Sequence, residues 1–309
     1  MTSTGSLKST LASIRASLMA AIVAAIVAAV VAAVVKWRLF CRRFLSSAQL
    51  AVISQLEYRF NFFTDAVIQP TIVGLIEVTI WSAILSSTGQ STLNGFTRGS
   101  YLAYALWAAF FARIGANWMY EFRMVEEIES GSVNSILSRP ISFFEFYLGQ
   151  FLGYKVLTSL TSFIVPITIT LSLPGLAISD STILSRLPLA FALQLLYLVL
   201  VHIVSFSVAS IAFFLNRTYG FTVAKNIILS MLTGELFPLD LVPAPFKQIF
   251  LWSPFANSVY VPVGYLTGRL GIDAVERGLL SLGIGIIISG FIASLLWSAG
   301  CRRYSGTGA

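Results

Sequence analysis

Apolar residues occur in long continuous runs along this chain, divided by short polar breaks. After a first run from Leu18 to Val35, others extend from Thr64 to Leu85, Tyr101 to Trp118, Phe143 to Leu171, Leu187 to Leu215, Phe221 to Leu236 and Leu279 to Trp297. A bilayer core of about 30 Å is crossed by about 20 apolar residues in helical form. Because the runs are continuous and not alternating, they fit helices and not strands. The pattern predicts an all-α integral membrane protein with six core transmembrane helices after an N-terminal hydrophobic helix.

Three stretches depart from simple spans. The first run is built from Ala-Ala-Ile-Val and Ala-Ala-Val-Val repeats and is short for a crossing, so residues 1-36 read as a separate extension before a transmembrane domain over 37-309. Its paired alanines form a small-residue stripe that lets helices approach closely in lipid, although an ordinary anchor or interfacial helix has the same composition. Lys36, Trp37 and Arg38 stand where a signal-peptide cleavage site would need small residues. From Lys36 to Phe63 basic and aromatic residues alternate, as in a helix lying among headgroups. Between Pro238 and Gly268, Pro238, Pro243, Pro245, Pro254 and Pro262 interrupt a sequence that stays rich in Phe, Leu, Trp, Val and Tyr. Proline at that density forbids one straight span, and the apolar content argues against free exposure to water. Short broken helices re-entering the outer leaflet satisfy both demands.

Composition agrees: 57% of the 309 residues are hydrophobic and the mean hydropathy is +0.84. The net charge of +7 does not point to nucleic acid, because Lys and Arg sit at the ends of apolar runs and form no patch on soluble surface. Lys36, Arg38, Arg42, Arg43, Arg59, Arg113, Arg123, Arg139, Arg217, Lys225, Arg302 and Arg303 fall at one set of ends. Arg98, Arg186, Lys247, Arg269 and Arg277 fall at the other. The excess places the first set, and with it the C-terminal tail, in the cytoplasm. Cys41 and Cys301 are isolated and give neither metal spacing nor an expected disulfide.

Polar chemistry concentrates between the second and third core runs. Of thirteen acidic residues, Glu121, Glu126, Glu127 and Glu129 fall within nine positions, interleaved with Phe122, Arg123, Val125 and Ile128, and followed by Gly131, Arg139 and Pro140. Carboxylates beside apolar residues suit a helix that docks on a partner better than a merely solvated loop. Gly131 suits the turn after such a helix, and Pro140 holds Arg139 extended. No Gly-x-x-x-x-Gly-Lys-Ser/Thr sequence is present, so this chain carries no P-loop of its own. His202 is the sole histidine and lies inside an apolar run, which excludes a His-rich metal site and a His-dependent triad; no catalytic residue is assigned. Charge within a span usually marks a pathway or a relay. Glu77 lies mid-span, with Asp65 and Glu235 nearer span ends and Lys155 able to pair with one of them, so Glu77, Lys155 and His202 form a candidate intramembrane polar set.

The stretch Glu127-Ile128-Glu129-Ser130-Gly131 through Leu137-Ser138-Arg139-Pro140-Ile141-Ser142 resembles a pattern of the permease subunits of type-2 (ABC-2 type) ABC transporters, the exporter family. Phe237-Pro238-Leu239-Asp240-Leu241-Val242-Pro243, followed by Ser253-Pro254-Phe255-Ala256 and Tyr260-Val261-Pro262, is similar to that family's region between the fifth and sixth core spans. The resemblance covers Lys36 to Tyr304 and implies a half-transporter. Two permeases, identical or related, would stand over two cytoplasmic ATPase subunits that hold ATP and Mg. The segment from Glu121 to Pro140 would be the coupling helix, and Pro238, Pro243, Pro245, Pro254, Phe255 and Pro262 would belong to an outer gate. The implied location is a bacterial-type plasma membrane, among its lipids. A secondary transporter using Glu77 as a proton site and a membrane scaffold organised by the alanine stripe are the alternatives.

Overall fold

In the computed structural model, the described residues are 35–87, 92–93, 96–172, 180–215 and 217–304. They are helical throughout, apart from turns and a two-residue antiparallel pair, Thr92–Leu93 with Phe96–Thr97. The chain divides into two compact units between Ser46 and Ser47. The Leu18 to Val35 run lies, but for its last residue, outside the described residues. In the first unit, residues 35–46 are helical, and Trp37, Phe40 and Phe44 stack one turn apart at 5.7 and 6.0 Å.

The second unit opens with helix at residues 47–57 (with residues 35–46, α1). Gly153 faces it: a Cβ there would lie 2.5 Å from the Ala48 carbonyl oxygen, so the missing side chain is what allows the two backbones to meet. Next come α2 (Arg59–Phe63), a π-turn (Thr64–Ile68) and α3 (Gln69–Ser87), together a 29-residue span. Pro70 causes the irregularity, because it has no N–H for the Ala66 carbonyl one turn back and its ring crowds that oxygen. The carbonyls freed by the turn are satisfied from other helices: Ser162 Oγ donates to Ala66 O at 2.5 Å and Arg113 Nε to Asp65 O at 3.1 Å. This is the condition on which a broken helix is stable in lipid.

Helix α4 (Arg98–Gly115) leads to α5 (Trp118–Glu129) and the single turn α6 (Asn134–Leu137). α7 (Phe143–Ser162) starts with a capping box, in which Ser142 and Glu145 each satisfy the other's backbone N–H, and continues into α8 (Ile164–Ser172). α9 (Asp180–Ser210) is the central helix: it packs on α13, α12, α5 and α4, and half of its apolar window is buried, against 11% for the first span. α10 (Tyr219–Leu232) stops before Gly234, whose φ of 80° a side chain would strain. α13 (Ile272–Arg303) closes the chain, with Arg302 and Arg303 in its last turn, where cations meet the negative end of the helix dipole.

Among the described residues four helices are long and apolar enough to cross a membrane: Arg59–Ser87, Phe143–Ser172, Ile183–Phe213 and Ile272–Arg303. The other two expected spans are shorter. α4 has 18 residues and carries Arg98 and Arg113 at its ends, while the 14 residues of α10 rise about 21 Å at ~1.5 Å each. The Tyr101 to Trp118 run also breaks earlier than its hydropathy implies, since α4 ends at Gly115 and Trp118 begins α5.

The proline-rich segment folds as short helices: a 3-10 turn (Leu239–Leu241), α11 (Ala244–Trp252), a second 3-10 turn (Pro254–Asn257) and α12 (Tyr260–Leu266). Each proline stands before or within a first turn, where its missing N–H is not needed. Asp240 holds the segment together, accepting from Arg269 Nε at 2.9 Å and pairing with Lys247 at 3.4 Å. Pro238 and Pro262 are buried, Pro254 and Phe255 half-buried, and Pro243 and Pro245 exposed.

Candidate functional site: the acidic segment and its attachment to the bundle

The acidic segment is helix α5, and its amphipathic face is turned inward. Tyr120, Met124 and Ile128, four residues apart, are buried with Glu121 and Val125. Burial pushes the Tyr120 phenol up, and the ring packs against Phe151 and Tyr154 at 5.8 and 5.9 Å. Glu121 is fully buried and ion-paired to Lys225 of α10, whose ammonium lies 3.3 Å from Ser205 Oγ of α9. At the other end of α5, Glu129 Oε1 accepts from the backbone N–H and the hydroxyl of Thr218, both at 2.8 Å, just before α10 begins. Phe122 stacks on Tyr219 at 5.2 Å. Glu127 lies in electrostatic range of the Tyr147 phenol of α7.

These contacts correct the expectation that all four acids and the apolar residues face a partner. Glu121, Val125 and Ile128 are spent on this chain's own core, Glu129 is half-buried and bonded to Thr218, and Glu127 is half-buried. An amphipathic stripe says that a face will be buried, not against what, and the chain's own bundle is the surface at hand. The outward side carries Arg123 and Glu126, then Ser135, Leu137, Arg139 and Pro140 around α6. Gly131 makes the turn between the two helices with φ of 77°, and its carbonyl accepts from the Tyr304 hydroxyl at 3.3 Å. Lys225, Thr218 and Tyr219 escaped the sequence reading as partners of α5. An isolated lysine within the Phe221 to Leu236 run was the available signal.

The intramembrane polar set does not converge. Glu77 is half-buried on α3, in electrostatic range of Glu235 and Tyr101. His202 lies between the rings of Phe144 and Phe151, at 5.0 and 5.7 Å. Lys155 is buried but forms no ion pair among the described residues: its ammonium donates to the Arg113 carbonyl at 2.9 Å and lies 5.3 Å from the Tyr154 ring centre. Of the carboxylates it could have met, Asp65 goes to Arg113. Among the described residues no group of three or more His, Cys, Asp or Glu side chains is placed to hold a metal ion.

A groove of about 450 Å³ lies between α3, α4, α5, α9 and α10. It runs from Asn117, Phe122 and Tyr219, beside α5, to Thr233, Glu235 and Ser258 at the far end of α10. Its walls are mixed: Val73, Ala112 and Ile227 are apolar, while Gln69, Arg113, Asn226 and Ser230 are polar. The α10 face that lines it belongs to the helix that Glu121 and Glu129 tie to α5.

No protein of curated function matches the chain. A family model described as ABC-2 family transporter protein matches residues 71–308, from the first turn of α3 to beyond the end of α13. The chain belongs to this family and is an integral, multi-pass membrane permease of the ABC transporter type.

Proposed function

We propose that this chain is the permease half of an ATP-driven exporter, working as a dimer with itself or a related permease over separate cytoplasmic ATPase subunits. The observation that carries the proposal is the double tie between α5 and α10: Glu121 to Lys225 and Glu129 to Thr218 join an exposed polar ridge to a helix that lines the groove. Force applied to the ridge from outside would therefore move the groove wall. Family membership supports ATPase partners, since members are membrane subunits and not ATPases themselves, and ATP and Mg would reside on those partners. The coupling surface is the outward side of α5 and α6, with Arg123, Glu126 and Arg139 as its charges and Leu137 as its exposed apolar contact.

In this reading α4 and α10 complete six passes, with α10 extended past Gly234 by the proline-rich segment, which acts as the outer gate. The excess of Lys and Arg at the α5 end orients that end and the C-terminus toward the cytoplasm of a bacterial-type plasma membrane. Affinity purification from native membranes is expected to recover an ATPase subunit. The combined variant Arg123→Glu, Glu126→Arg, Arg139→Glu should reduce that recovery tenfold or more. Full recovery, with ATP hydrolysis still coupled to transport, would rule out docking through this ridge.

A further inference from the structure

The joint between α4 and α5 carries positive charge and hydrogen-bonding capacity that its own residues leave unmet. Asn117 stands at the N-cap of α5, where a side-chain oxygen ordinarily accepts a first-turn N–H. Here it makes no cap bond, and among the described residues its carboxamide oxygen and nitrogen are both without a partner, in a residue only 3% exposed. The N-terminus of this 12-residue helix is thus left without its side-chain acceptor, and such an end favours an anion. Arg113 and Lys155 bring two cations to the same place against one carboxylate, Asp65, which Arg113 engages. Glu121, one turn further along α5, is already neutralised by Lys225. A small void of about 10 Å³ between Asn117, Tyr154 and Lys155 shares Arg113, Ala116, Asn117 and Trp118 with the wall of the groove. That void is too small for a phosphate, so an anion would lie on the groove side, against Arg113 and the start of α5, with Lys155 acting from behind. From there the groove continues along Val73, Ile227 and Leu229.

We propose that the α4–α5 joint binds the anionic head, a phosphate or carboxylate, of an amphiphile whose apolar chain lies in the groove. This deepens the transport reading by giving the cargo a chemical class, and it rests on the groove being the transport path. The test needs neither an ATPase nor transport, so its outcome is separate from that of ATPase docking. The full chain in uncharged detergent is titrated with phosphatidylglycerol, with the matching phosphatidylcholine and with inorganic phosphate. Phosphatidylglycerol is expected to bind at least tenfold more tightly than phosphatidylcholine. Asn117→Ala and Lys155→Met should each cut that preference at least fivefold, while Arg302→Gln, which removes an exposed cation far along the chain, should leave it intact. Should Lys155→Met fail to fold, Asn117→Ala alone decides. Equal binding of the two lipids, or a preference that survives Asn117→Ala, overturns the site; inorganic phosphate binding as tightly as phosphatidylglycerol overturns the amphiphile.

Discussion

Lys225 and Glu121 illustrate how one buried pair decides which face of a helix is inside. Glu121 shows no exposed side-chain surface and Lys225 shows 12%. Removing one partner leaves the other charge buried and uncompensated, at a cost of about 3–5 kcal/mol. Glu121→Ala and Lys225→Met should therefore each lower the thermal unfolding midpoint strongly, and the double variant Glu121→Lys, Lys225→Glu should recover part of the loss. If the double swap is no better than the worse single variant, the two side chains do not act as a pair. The sequence disclosed that both charges stood in apolar surroundings, but not that they met across 104 residues. Spacing within one helix is legible in a sequence; the meeting of two helices is not. The same limit explains Lys155, for which the sequence offered three acids and the fold supplied a carbonyl.

At the scale of the element, glycines mark where the route of the chain is set. Gly131 ends α5 at φ of 77°, and a side chain in that region costs about 1–2 kcal/mol. Gly131→Ala should destabilise the protein by that amount and loosen α6 from α5. At Gly153 the added Cβ would instead meet the Ala48 backbone, and such overpacking costs about 1–3 kcal/mol. Both variants are read by thermal unfolding in detergent, and a Gly153→Ala protein as stable as the parent would show that the two backbones do not approach so closely. Helix positions were largely legible, because apolar runs and first-turn prolines are local signals. Lengths were less so: α4 stops at Gly115, and Ser258, from another part of the chain, stands where a Cβ on that residue would lie.

Across the whole molecule, apolar exposure is the rule on the outer helices. Ile72, Leu75, Ile76 and Ile80 of α3 and Ile284, Ile287, Ile288 and Phe291 of α13 all face outward, as lipid-facing surfaces should. Charge asymmetry between the two ends predicts sidedness. With Cys41 and Cys301 replaced by serine, Arg139→Cys is expected to react with a membrane-impermeant thiol reagent in inverted vesicles and not in intact cells. Labelling in intact cells would reverse the assigned orientation. Sequence alone conveyed membrane residence and the broken helices between Pro238 and Gly268, because both are written in hydropathy and proline. It could not convey the groove, whose walls come from five helices.

The π-turn ahead of Pro70 has a mechanical consequence. Two of its carbonyls take their donors from α4 and α7, so the first span cannot slide along either neighbour without leaving a bare carbonyl in lipid. The first span, α4 and α7 are thereby locked in register and move as one block. α10 is tied at both ends: near its start to α5 and to Ser205 of α9 through Thr218 and Lys225, and beyond its last turn by the Tyr104 hydroxyl of α4 on the Gly234 carbonyl and the Tyr260 N–H of α12 on the Thr233 carbonyl, both at 2.9 Å. A displacement of α5 would therefore pass along α10 to the Gly234 turn, where α4 and α12 would receive it.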